Sequence, residues 1–367
     1  MLESNFEKFG NVAKRYLNKG IKNMIETIQM AASASDFVNS FGPSAGFSLF
    51  WAICAIGGGI IGAAIGGNWA FVMTGFSVFL GFAVAASTGS DIVLNYMAFG
   101  PVFGPHICFA GGAAAHAYAG KLGLNGEKKG KDIDTSPAGF GNPTMLWIGA
   151  IFGLGGYLLE RCIRLIPWFG HNTDTVALTV LISGLLVRLI FGKTGIFNWT
   201  SQLTDKECWL RWQEKPSQWL TIGIGASIFA GGLALSVAHL LPYLSPDIEK
   251  ALLGNAQALP FGISAITILM LILGFKIPVT HHITITAGLA AMVWFPILGN
   301  SLYLALLASV VFGVMAAGLA EFAQRLMYAR GDTHIDPPAA AIWLSHTVVK
   351  GSALLVVAAG LVPAPQV

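Results

Sequence analysis

The sequence predicts an all-α, polytopic membrane protein: a helical bundle of about nine or ten transmembrane helices with one re-entrant segment and signs of an internal duplication. Three observations carry this. Of the 367 residues, 54% are hydrophobic and only 11% charged, whereas soluble domains carry roughly 25% charged residues. With a mean hydropathy of +0.67, the chain lacks the polar cover that a soluble surface needs. Apolar runs of about 20 residues, the length a bilayer demands, recur along it. Between two of them lies DIVLNYMAFGPVFGPHICFAGGAAAHAYAG (91–120), apolar throughout but broken at Gly100-Pro101 and Gly104-Pro105.

The first 45 residues lack a continuous apolar run. Phe6, Phe9, Ala13, Tyr16, Leu17, Ile21, Met24, Ile25 and Ile28 recur at three- and four-residue steps, with Lys8, Lys14, Arg15, Lys19 and Lys22 among them. That pattern predicts an amphipathic helix, suited to the headgroup layer or to packing on cytoplasmic loops. Spans follow near 46–67, 69–88, 143–166, 174–192, 218–242, 258–275, 279–298, 301–328 and 339–362. The organisation read from this is an interfacial segment 1–45, a first membrane half 46–192, a cytoplasmic linker 193–217 and a second half 218–367.

Lys and Arg concentrate in cytoplasmic loops. If residues 91–120 dip in and return, the basic residues of the N-terminal helix and of the loops around 121–131, 188–215, 276 and 325–330 collect on one face. Arg161, Arg164 and Lys250 remain on the other. The re-entrant reading therefore predicts a cytoplasmic N-terminus in a multi-pass protein of the cell membrane; the alternative is a full crossing from near 104, a tenth span with the N-terminus outside. Irregular backbone at membrane depth survives only where protein buries it or water lines it, so the two breaks mark a candidate functional region.

KGKDIDTSPAG (129–139) and RGDTHIDPPAA (330–340) each precede an apolar span and share Ile-Asp, at Ile133-Asp134 and Ile335-Asp336. GGNWAFVMTG (66–75) loosely parallels IPVTHHITITAG (277–288). These predict a duplicated core with a site at its junction. Gly58, Gly62 and Gly66, and Gly149 and Gly153, are spaced for close helix packing.

Charge inside a span costs roughly 2.5–3.5 kcal/mol at a helix centre. Lys350 falls in the middle of the last span with His346 one turn before it, so both are expected to face the bundle interior or water. Glu321, in the preceding span, is the expected partner of Lys350. His281-His282 open a span after Pro278; lying about 100° apart on a helix, at most one of them faces a given pathway. His106 follows the second Gly-Pro break, while Asp91 and Asn95 sit at an expected cytoplasmic mouth. Asp134 and Asp336 are placed to cap helices.

The formal charge of +3 and the absence of a basic run interleaved with aromatics argue against nucleic acid. Cys54, Cys108, Cys162 and Cys208 are far apart, without metal or disulfide spacing, and no cofactor is indicated. There is no HExxH, P-loop or GxSxG, so an enzyme is not expected. The expected function is a permease for a small hydrophilic solute or ion, an anion favoured, coupled to an ion gradient. The alternatives are an ion channel, or a membrane-embedded scaffold or enzyme subunit. The expected partners are the lipid bilayer and the solute, with a second copy of the chain left open.

Overall fold

Each expected span is a helix, and several of the starts are written in the sequence. Ser48, Asp174, Ser301 and Asp336 stand just before apolar runs. Their side chains accept from the backbone N–H of Trp51, Ala177, Leu304 and Ala339, satisfying donors that a helix start leaves open. Pro216 and Pro337 occupy first-turn positions, where the missing N–H costs nothing. Gly89 ends its helix in the left-handed region, at φ 73°.

The computed structural model describes residues 47–126, 130–197 and 209–361, all within one unit that spans 47–367. The amphipathic helix expected over 1–45, and the side on which the N-terminus lies, fall outside the described residues. In chain order the helices of eight residues or more among the described residues are α1 (Leu49–Ile65), α2 (Gly67–Thr88), α3 (Cys108–Lys121), α4 (Thr144–Arg164), α5 (Thr175–Phe191), α6 (Pro216–Leu240), α7 (Pro246–Leu253), α8 (Ala258–Ile272), α9 (His281–Ile297), α10 (Leu302–Ala323) and α11 (Pro337–Ala358). A short π-helical stretch, Gln324–Tyr328, continues α10.

Among the described residues, five helices are long and apolar enough to cross a membrane, or six if α7 and α8, bent by 51°, make one broken or re-entrant span. The nine or ten expected spans divide into these and the shorter apolar helices α1, α5 and α9. By helix length and composition this is a multi-pass membrane protein. Its outer surface agrees: Ile53, Phe76, Leu80, Trp147, Ile151, Phe229, Leu307 and Leu355 are all exposed, an apolar coat of the kind lipid covers.

Two triads organise the bundle. α1, α3 and α4 pack on one another, as do α6, α9 and α10. Glycine sets the spacing of the first: a Cβ at Gly62 would collide with the Cys108 carbonyl, and one at Gly156 with the His106 carbonyl. α2 crosses α8, where Gly75 and Gly262 meet, and α5 packs on α11.

The chain directions follow from contacts at the two ends. At one end Ser48 N–H donates to the Tyr157 hydroxyl at 2.7 Å, Gly89 packs on Asp247, and Lys350 reaches the His171 carbonyl. At the other the Ser136 hydroxyl donates to the Ala64 carbonyl, Gly130 N–H to the Asp332 carbonyl at 3.0 Å, and Arg188 to Thr333. We call these the Lys350 end and the Arg188 end. α1 runs from the first to the second, α2 and α4 run back, and α5 runs forward again. α6 begins at the Arg188 end, so the second half repeats this course in the opposite sense.

Residues 91–121 form a broken helix. A π-helical turn, Leu94–Ala98, lies with Leu94 against Gly81; the Gly-Pro breaks follow; and α3 runs on to Lys121, whose amine donates to the Ile190 carbonyl at 3.3 Å. Asp134 does not cap a helix. Its carboxylate accepts from Asn68 Nδ2 at 2.6 Å and fastens the start of α2 to the loop before α4.

Candidate functional site

Between the two triads lies a cavity of about 380 Å³, within the range of small-molecule sites. Its middle is a belt of apolar groups, with Phe71, Phe99, Phe109 and Phe261 among them. Its polar groups gather toward the ends: Arg164, His171, Asp174, His346 and Lys350 at one, Asn68, His281 and Asp336 at the other. Exposed His171 and Gly254 border the Lys350 end, whereas buried Phe109 and Ala339 close the other.

Two carboxylates face the cavity, and both are already engaged. Asp174 accepts from Ala177 N–H at 2.7 Å and pairs with His346 Nδ1 at 3.0 Å. Asp336 accepts from Ala339 N–H at 2.8 Å and pairs with His334 Nε2 at 3.2 Å. Behind Asp174, buried Glu160 binds Arg164 at 2.6 Å and the Thr175 hydroxyl at 2.7 Å, and Thr173 meets Thr347 at 2.7 Å. These contacts lock α4, α5 and α11 together at the Lys350 end.

At the Arg188 end the halves are tied shut. The Arg188 side chain is fully buried; its Nε donates to the Thr333 hydroxyl and one terminal nitrogen to the Thr333 carbonyl, both at 2.6 Å. Its other terminal nitrogen donates to the Met327 carbonyl at 3.1 Å. Beside it Asp332 accepts from Lys193 N–H at 2.7 Å and the Thr194 hydroxyl at 2.8 Å. Burial pushes the Asp332 carboxyl up, but these bonds, with the Arg188 charge, outweigh it and hold the group below its usual value.

The cavity brings together His281, His346, Lys350 and Asn95 from the residues singled out in the sequence. His282 is fully buried beside His281 and does not line it; among the described residues neither of its ring nitrogens has a partner. His106 is buried just before α3, against Gly156 of α4, and does not line the cavity, and Asp91 stays in the loop after α2. The expected Glu321–Lys350 pair does not form. α10 and α11 are antiparallel, and Ala320 clusters with Ala341, so Lys350 lies nine residues farther on, about 13 Å at 1.5 Å per residue. Glu321 instead accepts from Leu210 N–H at 3.3 Å, while Lys350 donates to the His171 carbonyl at 3.0 Å.

Asp174, Glu160, Arg164, Arg188 and Asn68 were not singled out as site residues. Asp174 before a Thr and an apolar run is a legible cap signature, and Glu160 with Arg164 is a legible helical ion-pair spacing. That Asp174, Arg164 and Asn68 line one cavity, with Glu160 behind Asp174 and Arg188 at the closed end, is tertiary information. Among the described residues no three His, Cys, Asp or Glu side chains gather as metal ligands.

A family of unknown function (DUF7973) matches the chain twice, over residues 44–207 and 198–365. The chain belongs to this family. No curated protein and no solved structure matches it. Two successive matches of one DUF7973 family mark an internal duplication, and they correct its register. The matches start at 44 and 198, a much shorter shift than the one that carries Ile133-Asp134 onto Ile335-Asp336. The helix order agrees: α11, which Asp336 caps, corresponds to α5, which Asp174 caps.

In that register the cavity is lined by equivalent positions of both halves. Asp174, Ala177 and Val180 on α5 face the same cavity as Asp336, Ala339 and Ile342 on α11, taken at identical steps from each cap. HICFAGGAAA (106–115) at the start of α3 matches HITITAGLAA (282–291) at the start of α9 in His, Ile, Gly and two Ala. There Pro105 and Phe109 line the cavity opposite His281 and Ile285. Asn68 and Asn255, each after a glycine, both line it as well.

Proposed function

We propose that this protein is a permease that carries a small hydrophilic solute or ion across the membrane by exposing the central cavity to each side in turn. The observation that carries this reading is the placement of the cavity. It lies between two halves of opposite direction, is lined by matching residues of both, borders exposed residues at the Lys350 end and is sealed by the Arg188 network at the other. Duplicated transporters place their sites at such a junction, beside discontinuous helices; α3 after its Gly-Pro breaks and α9 after the irregular 275–280 stretch supply them here.

The two ends use the same device. Arg188 follows Asp174 by the step that separates Lys350 from Asp336, and each donates to the carbonyl three residues before the other helix's capping aspartate. On this reading Lys350 and Arg188 are equivalent closing cations of the two ends. Residues 91–121 then cross the bilayer as a broken span rather than returning.

The Arg188 end gathers Lys121, Lys131, Lys193, Arg211, Lys215, Lys276, Arg325 and Arg330, against Arg161, Arg164 and Lys250 near the Lys350 end. The positive-inside rule makes the Arg188 end cytoplasmic. Ion coupling fits the titratable Asp174–His346 and Asp336–His334 pairs beside the pathway. Reconstitution in sealed vesicles tests the function: saturable uptake driven by a proton or sodium gradient supports a carrier, and non-saturating conductance supports a channel.

A further inference from the structure

Resting on the cavity reading above, we infer that the solute is a small organic carboxylate, held by its carboxylate at the N-terminal end of α9 and His281 and by its apolar body within the phenylalanine belt. Among the helices that begin at or beside the cavity, α5, α11 and α9 provide unequally for their first N–H groups. α5 and α11 bring their own anions, Asp174 and Asp336, and all four carboxylate oxygens are engaged, as described. α9 brings none. Its N-cap Thr280 makes no side-chain cap, because its hydroxyl is turned to Ser264 at 3.1 Å, and its first turn holds no acidic residue. Among the described residues nothing accepts from the backbone N–H of His281 or His282.

The second observation is independent of the helix end. His281 is 6% exposed and lines the cavity, and among the described residues its buried Nδ1 has no hydrogen-bond partner. A helix N-terminus and an imidazole N–H side by side favour an oxyanion, and burial strengthens that preference. His281 is also where the cavity departs from its own symmetry, since the equivalent position in the first half is Pro105. The phenylalanine belt selects against a bare inorganic ion. A hydrated sulfate would shed its water against Phe71 and Phe261, which flank the His281 ring at centroid distances of 4.5 and 6.2 Å, whereas an alkyl or aryl body buries favourably there.

Thermal unfolding of the purified full chain in detergent, at constant ionic strength and pH, tests this with sodium butyrate, sodium sulfate, butyramide and tetramethylammonium chloride as probes. A ligand that binds only the folded state raises the midpoint saturably. Butyrate is expected to do so and butyramide is not. His281→Phe, which keeps a ring and removes both nitrogens, is expected to weaken the butyrate effect at least tenfold. Should that variant fail to fold, His281→Gln, which keeps one donor, is expected to weaken it about threefold to tenfold. Stabilisation by sulfate but not butyrate overturns the carboxylate assignment, and so does an undiminished butyrate effect in the folded His281 variants. Stabilisation by tetramethylammonium, lost when Ala339→Phe fills the cavity, also overturns it while leaving the cavity reading intact. If no probe acts through the cavity, both readings fall.

Discussion

Lys350 stands in the second half where Arg188 stands in the first. Lys350 donates to the carbonyl of His171, three residues before Asp174; Arg188 donates to the carbonyl of Thr333, three residues before Asp336. The two contacts differ in strength. Arg188 is fully buried and spreads its planar fork over Thr333 and Met327, while Lys350 makes a single bond at the mouth of the cavity. A lysine is a point donor and cannot reproduce that fork. Arg188→Lys is therefore expected to lower stability by about 1–3 kcal/mol, the scale of one or two lost charged hydrogen bonds, visible as a lower unfolding midpoint. An unchanged midpoint would show that the network does not hold the end closed.

Asp332 makes part of that stability depend on pH. Its folded-state pKa lies below the usual carboxylate value, so its contribution is complete above the unfolded value of about 3.9. It is lost as pH falls through the lower folded value. Asp332→Asn should flatten the decline in stability measured from about pH 5 downward. A decline as steep as the wild type's would place the acid sensitivity elsewhere.

Residues 91–121 give a topological prediction. In a variant whose native cysteines are replaced, single cysteines at Ser90 and Leu122 should react with impermeant reagents from opposite faces of sealed vesicles. Reaction of both from one face would restore the re-entrant geometry that the Gly-Pro breaks and the charge distribution first favoured.

Lys350→Met should leave a folded, inserted protein that has lost uptake, since the stem's volume is largely kept and the charge removed. With Glu321 far from Lys350, adding Glu321→Gln should change stability by its own amount alone, because separated sites add. Recovery of stability in the double variant would mean that the two side chains are coupled after all.

Much of the fold was legible because lipid imposes simple rules. Runs such as 301–328 and 339–362 had to be helices, and Asp336 before two prolines had to begin one. The duplication was legible in kind but not in register. Ile133-Asp134 and Ile335-Asp336 look alike because both precede apolar spans, yet the first lies before α4 and the second before α11. The site was half legible: Lys350 and His346 declared themselves by their cost in an apolar span. Glu321 looked like their partner only because one-dimensional spacing cannot say how far along an antiparallel neighbour two residues fall. Arg188, near the end of its helix, looked like an ordinary interfacial charge; its burial depends on loops from the other half.

The most direct test of the central claim, that one cavity opens to the two sides in turn, is the labelling of a cysteine at Ala339, deep in the cavity, by an impermeant thiol reagent added to either face of sealed vesicles. With the native cysteines replaced and Arg188 intact it should react mainly from the Lys350 side. Arg188→Ala, which releases the sealed end, should raise the rate from the Arg188 side and lower it from the Lys350 side. A rise on one side with no fall on the other, accompanied by a conductive leak, would describe a channel and contradict alternating exposure. So would labelling that Arg188→Ala leaves unchanged.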